Sequence, residues 1–401
     1  MKTRFLTLLV VFAFSLPLMA QDNKEAKTEE GYQFTKIVDL PVTSVKDQYR
    51  SGTCWSFSTI SFLESEMLRL DRDSVDLSEM FVVRHCYSDK AIRYVRLHGH
   101  LNFGGGGAFH DVTYVLKHYG LVPEDAYPGL DYGEDNHVHG ELDEVLKDYV
   151  DGVVKNKNKK LSTAWHNGFD GILDAYFGDL PQEFEYKGKK YTPQSYAKEV
   201  VGLNPDDYVE ITSYTHHPFY TKFAIEIPDN WLWDQVYNVP MDDLKEIMHY
   251  ALEKGYTIAW GADVSEKGFS HGNGVAIVPE TDIKEMSGSE RDKWEKLTPA
   301  QRQKEAYRFD KPVKEKVITQ EMRQEAFDDY RTTDDHGMHI TGLYKDQTGK
   351  IFYKVKNSWN TNNKYHGYFY ASEPFVLYKT MDIMIHKDAI PKDIRKKLGI
   401  K

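Results

Sequence analysis

The spacing of apolar positions predicts helices through the first half of the chain and strands near its end. Phe57, Ile60, Leu63, Met67 and Leu70 recur at steps of three or four, with Glu64, Glu66 and Arg69 on other faces, so a helix follows Cys54. "SVDLSEMFVV" sets a Ser or Asp start signal before an apolar run and predicts a second helix. "FGGGGAFHDVTYVLKHYG" predicts a glycine turn and a third, with Phe109, Val112, Leu116 and Tyr119 on one stripe and Gly120 at its stop. Two more stripes, one through Leu142, Val145, Tyr149 and Val153 and one through Trp165, Phe169, Ile172 and Tyr176, predict a helical insertion over residues 129–210. "YNVPMDDLKEIMHYALEKG" predicts a helix between Pro240 and Gly255, and "YTIAWGADV" a strand. Residues 280–330 are highly charged and read as a surface insertion. After them, "HGMHITGLY" and "IFYKVKNSW" alternate with a period of two across the turn-forming "KDQTGK", which predicts a hairpin. The expected fold class is α+β: a helical lobe over 32–128, the helical insertion over 129–210, and a β-rich lobe over 211–401.

The first twenty residues do not fit that scheme. Lys2 and Arg4 precede an apolar run from Phe5 to Phe14, and Ala20 offers a cleavage site, so residues 1–20 read as a signal peptide. Residues 21–31 are polar and read as a disordered lead-in. The expected location is exported, periplasmic or secreted. No later stretch is apolar enough to span a bilayer, so the mature chain is expected to have no membrane span. The net charge is −11, and −13 without Lys2 and Arg4. An acidic chain whose one basic run is Lys155–Lys160 is not expected to bind nucleic acid. At 13% aromatic residues it can fill a large core.

Only two cysteines are present, Cys54 and Cys86. Taken alone, Cys54 is a packing residue, half of a disulfide with Cys86, or a nucleophile. A nucleophilic thiol needs a lowered pKa, a base, a group to orient the base, and oxyanion donors. A helix start supplies free N–H groups and a favourable dipole at Cys54. His336 and Asn357 fall on the two strands of the predicted hairpin, about 4.8 Å apart in a sheet, so the amide can hold the imidazole. Trp359 can shield that bond from water. Gln48, six residues before Cys54, can join the Cys54 N–H as an oxyanion donor.

Gln48 followed by "SGTCWSF", "DHGMHITG" and "KNSW" resembles the papain-like cysteine peptidases. "DLSEMF", "HYGLVPEDAYP", "YNVPMDDLKE" and "DHGM" resemble the bleomycin hydrolase/aminopeptidase C branch, in order and from about Ile37 to Pro391. The resemblance implies a two-lobed papain-like fold and a cysteine peptidase acting on peptides. Most directly it implies an aminopeptidase, with endopeptidase action and non-catalytic peptide binding as alternatives. It assigns Cys54 as nucleophile, His336 as base, Asn357 as its orienter and Gln48 as oxyanion donor. It implies no metal, no cofactor, and a homohexamer. His336 follows Cys54 by 282 residues (336 − 54), against about 130–150 in compact papain-type chains. The insertions account for the surplus. Three departures stand out. Ser51 replaces the cysteine three residues before the nucleophile, Asn360 replaces a glycine after the tryptophan, and "DAIPKDIRKKLGIK" is shorter and more basic than the branch's C-terminal arm. That arm's carboxylate is what meets a substrate α-amine in the branch.

Other candidates are weaker. His339 is the rival base, one strand step out of phase with His336. His271 sits in a turn-like loop. His216–His217 and His137/His139 lack ligand partners at metal spacing. Gly104–Gly107 lacks the Lys-Ser/Thr of a phosphate loop and reads as a flexible turn or, by the resemblance, as a rail for substrate backbone. Cys86 has no base pattern near it and is expected to be buried.

Overall fold

Helix α1 (Cys54–Arg69) begins at the cysteine, as its apolar spacing predicts. This computed structural model describes residues 31–401. The expected signal peptide and residues 21–30 of the lead-in lie outside the described residues. Phe57, Ile60, Phe62, Leu63 and Met67 of α1 are at most 4% exposed, and each contributes about 1.5–3 kcal/mol by leaving water. The serines and threonines between them are buried too: Ser56 bonds to the Glu79 carbonyl of the next helix, Ser61 meets His339 and Lys356, and two hydroxyls return to the helix's own backbone. Ser58 donates to the Cys54 carbonyl at 2.8 Å and Thr59 to that of Trp55 at 2.7 Å. A helix with one apolar stripe is thereby enclosed on all sides.

Four more helices complete this lobe. Two pack on α1, namely α2 (Glu79–Arg96) and α3 (Phe109–His118), and two on the far side of α2, namely α4 (Gly140–Val154) and α5 (Ala164–Phe177). Ser78 caps α2 by accepting from the Phe81 N–H at 3.0 Å. The insertion carries α4 and α5, and its apolar residues join the core built by α1–α3. It also contains a short hairpin, Phe184–Tyr186 with Lys189–Tyr191. The buried stripes are rotated from the expected ones. Leu142, Leu146 and Val150 face the core of α4 while Val145 is 38% exposed, and Leu173 and Phe177 replace Ile172 and Tyr176 on α5. Each helix has an apolar band wider than one row, and packing against α2 selects the band's centre.

Among the described residues a sheet of eleven strands forms, ten of them from the second half; the eleventh, Phe34–Asp39, comes from the span expected to be the helical lobe and pairs antiparallel with His336–Asp346. Its central order is Tyr208–Thr212, Thr380–His386, Ile258–Ala262, His336–Asp346, Ile351–Lys356, Tyr368–Ser372. Most pairs are antiparallel. Tyr208–Thr212 with Gln235–Asn238, and Tyr368–Ser372 with Val275–Ala276, are parallel. Trp260, Met338, Ile340 and Ile383 face a second core, closed by the helix Met241–Glu253. The charged stretch 280–330 folds largely into helices, among them Pro299–Ala306 and Gln320–Asp328.

The opposite face of the sheet receives α1 and α3. One row of residues crosses three strands there: Gly337 pairs with Gly261, which pairs with Asp382. A Cβ on Gly337 would stand 2.8 Å from Ser58 Oγ and 3.2 Å from both the Cys54 carbonyl oxygen and Trp55 Cα. Such contacts force displacement, so only glycine lets α1 come this close to the strand. Gly337→Ala should therefore destabilise the protein by about 1–3 kcal/mol through overpacking. Urea denaturation measures this, and an unchanged midpoint would show that α1 does not rest on this strand.

Candidate active site

The first turn of α1 sets the sulfur. Thr53 takes the cap position without a side-chain cap bond, and its carbonyl accepts from the Ser56 N–H at 2.9 Å. The N–H groups of Trp55 and Gly337 reach the Cys54 sulfur and favour its thiolate, whereas burial favours the thiol. Cys54 is partly exposed at the floor of a cleft of about 350 Å³ that Gln48, Trp55, His336 and Trp359 also line. Both cysteines are free thiols, so the disulfide alternative falls, and Cys86 is fully buried.

His336 begins the strand next to Ile258–Ala262 and is buried under Trp359, with ring centroids 4.5 Å apart at 27°. Its Nε2 is 2.8 Å from Asn357 Oδ1, so that nitrogen carries the proton and donates it. Nδ1 is left for the cleft. The Asn357 oxygen also accepts from the Ser358 N–H at 2.9 Å, which fixes the amide's orientation. Asn357 Nδ2 lies 3.5 Å from His271 Nδ1, and the His271 ring packs on Trp359, so the turn histidine supports the shield. Gln48 lines the cleft with both ends of its amide engaged. Its oxygen accepts from the Ser358 hydroxyl at 2.6 Å and its nitrogen donates to the Ser51 carbonyl at 2.8 Å, leaving one amide hydrogen uncommitted. Ser51, where the resemblance expects cysteine, hydrogen-bonds through its hydroxyl to the Gln48 carbonyl at 2.8 Å. Asn360, where it expects glycine, adopts φ 56°, a left-handed conformation that asparagine tolerates, so the turn survives.

His339 does not reach the cleft. Its Nδ1 pairs with Ser61 of α1 at 2.9 Å beside Lys356, whose ammonium donates to the same hydroxyl at 2.7 Å. Burial and that cation hold its pKa well below the usual value. His216 and His217 both bond to Glu226, at 3.0 and 2.8 Å, and His137 and His139 are buried. The Gly104–Gly107 turn is pinned rather than flexible. Trp55 Nε1 donates to the Gly105 carbonyl at 2.9 Å and Lys90 to that of Gly104 at 3.0 Å, while Gly106 and Gly107 line the cleft. Sequence reasoning missed the acidic wall of the cleft, formed by Asp229, Asp334, Asp335 and Asp382. "DDH" was a visible local signal for two of them, and none exists for Asp229 or Asp382.

Two family profiles cover this architecture. The papain family cysteine protease profile matches residues 33–197, and the peptidase C1-like family profile matches 174–302 and 301–400. The chain belongs to the peptidase C1-like family. As such it is a cysteine peptidase, and its α+β fold is of the papain type. It is 22% identical to aminopeptidase C of Streptococcus thermophilus over 92% of this chain and 86% of that one. It is 23% identical to aminopeptidase C of Lactococcus lactis subsp. cremoris over 89% and 83%. The fold matches that of PepW from Lactobacillus rhamnosis HN001 with a TM-score of 0.67 at 19% identity, covering 91% of this chain and 84% of that one.

Against a neutral neighbour, burial pushes the Cys54 thiol up to about 12 and His336 down to about 4. Passing the thiol proton to the imidazole costs both desolvations at once, and against those two values only the attraction between the two new charges favours it. In either tautomer the pair gains its extra proton only near the low value and loses its last one only near the high value. The rate of Cys54 alkylation by iodoacetamide should therefore keep its plateau down to about pH 4, well below free imidazole at about 6.5. Mass spectrometry should find one labelled thiol in the folded protein and two after denaturation. An acid limb at the free-imidazole value would mean that His336 is solvated.

Proposed function

We propose that this peptidase acts as a cysteine aminopeptidase of the aminopeptidase C type, with Cys54, His336, Asn357 and Gln48 in the roles of nucleophile, base, orienter and oxyanion donor. One observation carries the reading: the Nε2 of His336 is committed to Asn357 at 2.8 Å, which leaves Nδ1 facing the cleft that Cys54 floors. The sulfur attacks the substrate carbonyl as its proton passes to Nδ1. The oxygen that becomes negative is held by the Cys54 N–H and the uncommitted amide hydrogen of Gln48. His336 then protonates the departing amine, which leaves a thioester. A water gives its proton to the same nitrogen, attacks the thioester, and releases the acid and the thiol. Asn357 holds the ring in the tautomer both steps need.

A second reading, endopeptidase action, has its own support. Gly399, Ile400 and Lys401 line a different groove, beside His110 and Glu210, and not the cleft of Cys54. Cys54→Ala should abolish peptide hydrolysis while circular dichroism and thermal midpoint stay unchanged. Hydrolysis at the wild-type rate in that variant would end the peptidase assignment for this cysteine. Comparing a free-amine amino-acid amide with its N-acetylated twin separates the two readings: the aminopeptidase cleaves only the first.

Export belongs to the same proposal and rests on Lys2, Arg4, the Phe5–Phe14 run and Ala20. Protein recovered from the envelope or medium of expressing cells should begin at Gln21, read by intact mass. An intact Met1 in that fraction would overturn it.

A further inference from the structure

We infer that the cleft contains a cation subsite, in which Asp229, Asp334 and Asp382 receive an ammonium or guanidinium group of the bound peptide. The three come from separate parts of the chain: a loop, the residue two before His336, and the glycine row of the sheet. All three line the cavity that holds Cys54. Asp382 is 5% exposed, and no hydrogen bond or ion pair reaches its carboxylate among the described residues. Asp334 has an oxygen, Oδ2, buried without a hydrogen-bond partner. Carboxylates left bare in a low-dielectric site are costly unless something supplies the missing donors.

Among the described residues no neighbouring cation closes a hydrogen bond or ion pair with these three carboxylates, although His110 Nε2 and Arg323 Nη2 are buried without hydrogen-bond partners of their own and their charges favour ionised Asp382. His110 is held by Glu210 at 2.9 Å. Lys90 donates to the carbonyls of Gly104 and Gly106. Arg323 donates to those of Ser213 and Leu377, at 2.7 and 3.1 Å. The other acid of the wall, Asp335, is already satisfied by the Val264 N–H and the Ser265 hydroxyl, at 3.0 and 2.7 Å. Asp229 accepts from Asn102 at 2.9 Å through one oxygen, and its other oxygen lies over Gly106. Asp382 Oδ1 likewise occupies the space that a Cβ on Gly261 would fill, 2.5 Å away. Two glycines thus make room for two carboxylates on the cleft wall. Burial and the repulsion of Asp229 and Asp335 raise the pKa of Asp334 to about 8, and burial, then Glu210 and Asp334, hold that of Asp382 well above the usual carboxylate value. A bound cation relieves that repulsion.

This subsite rests on the reading of the cleft as a peptide site, and it can be separated from the chemistry. The cation has two sources, the substrate's α-ammonium or a Lys or Arg side chain. Calorimetry on Cys54→Ala, which turns nothing over, compares two pairs of probes. One is acetyl-Arg-Ala-amide against acetyl-citrulline-Ala-amide; the other is Leu-Ala-amide against acetyl-Leu-Ala-amide. The cationic member of at least one pair should bind about tenfold more tightly, the worth of one charge-assisted contact, and the pair that responds identifies the source. Adding Asp382→Asn should erase the preference. Asp334→Asn serves as an independent second variant should the first fail to fold. Equal binding within both pairs, or a preference that survives both substitutions, overturns the subsite. If wild-type enzyme hydrolyses none of these peptides while Cys54→Ala still selects the cation, the peptidase reading fails and the subsite stands.

Discussion

The close approach of α1 to the strand His336–Asp346 governs everything else in this protein. Cys54 and His336 are 282 residues apart (336 − 54), and no local interaction can bring them together. They line one cleft because α1 can be buried whole, its hydroxyls bonded within the helix or to the elements around it, and because Gly337 offers that helix a bare stretch of strand. The pairing of Gly337 with Gly261 and of Gly261 with Asp382 extends the bare stretch sideways, where a Cβ on Gly261 would stand 3.6 Å from the Phe109 ring of α3. The cleft is the space those glycines leave between helices and sheet.

Much of this was legible in the sequence, because the elements that hold the site obey simple periodicities. The apolar spacing after Cys54 gave α1, and the period of two around Met338 and Ile340 gave the strand that His336 opens. The strand phase also separated His336 from His339, which faces Ser61 on the α1 side. Less was legible where packing chooses among several apolar rows. In α4 the chosen row included Val145, which faces solvent, because nothing local tells a helix which edge of a broad apolar band will meet its neighbour. Asp382 was invisible for a different reason. Within "KTMDIMIH" it reads as a polar residue on an exposed strand face, and only the register with Gly261 turns it into the cleft.

Gln48 and Asn357 show how the site is held without help from a disulfide. Ser358 bonds to both: its hydroxyl donates to the Gln48 oxygen and its N–H to the Asn357 oxygen. The Gln48 N–H in turn donates to the Ser358 carbonyl at 2.9 Å. The loop before α1 and the end of the strand Ile351–Lys356 are therefore laced together, and the oxyanion donor and the imidazole's orienter share one anchor. Ser51, standing where a half-cystine would be, adds its own bond to the Gln48 carbonyl. Oxidation state then has no bearing on the geometry of this loop.

The acidic wall and the thiol are not independent. Among the influences that raise the Cys54 pKa, after burial itself, are the charges of Asp334 and Asp229. Asp229, and Asp334 once it has lost its proton, thus penalise the thiolate while the cleft is empty. A cation seated among them cancels that field, so the thiolate becomes cheaper to form at the moment a substrate arrives. A neutral ligand leaves the field in place. In this arrangement binding energy at a remote group lowers the barrier at the reacting atom, so selectivity for charge belongs in the chemical step as well as in affinity.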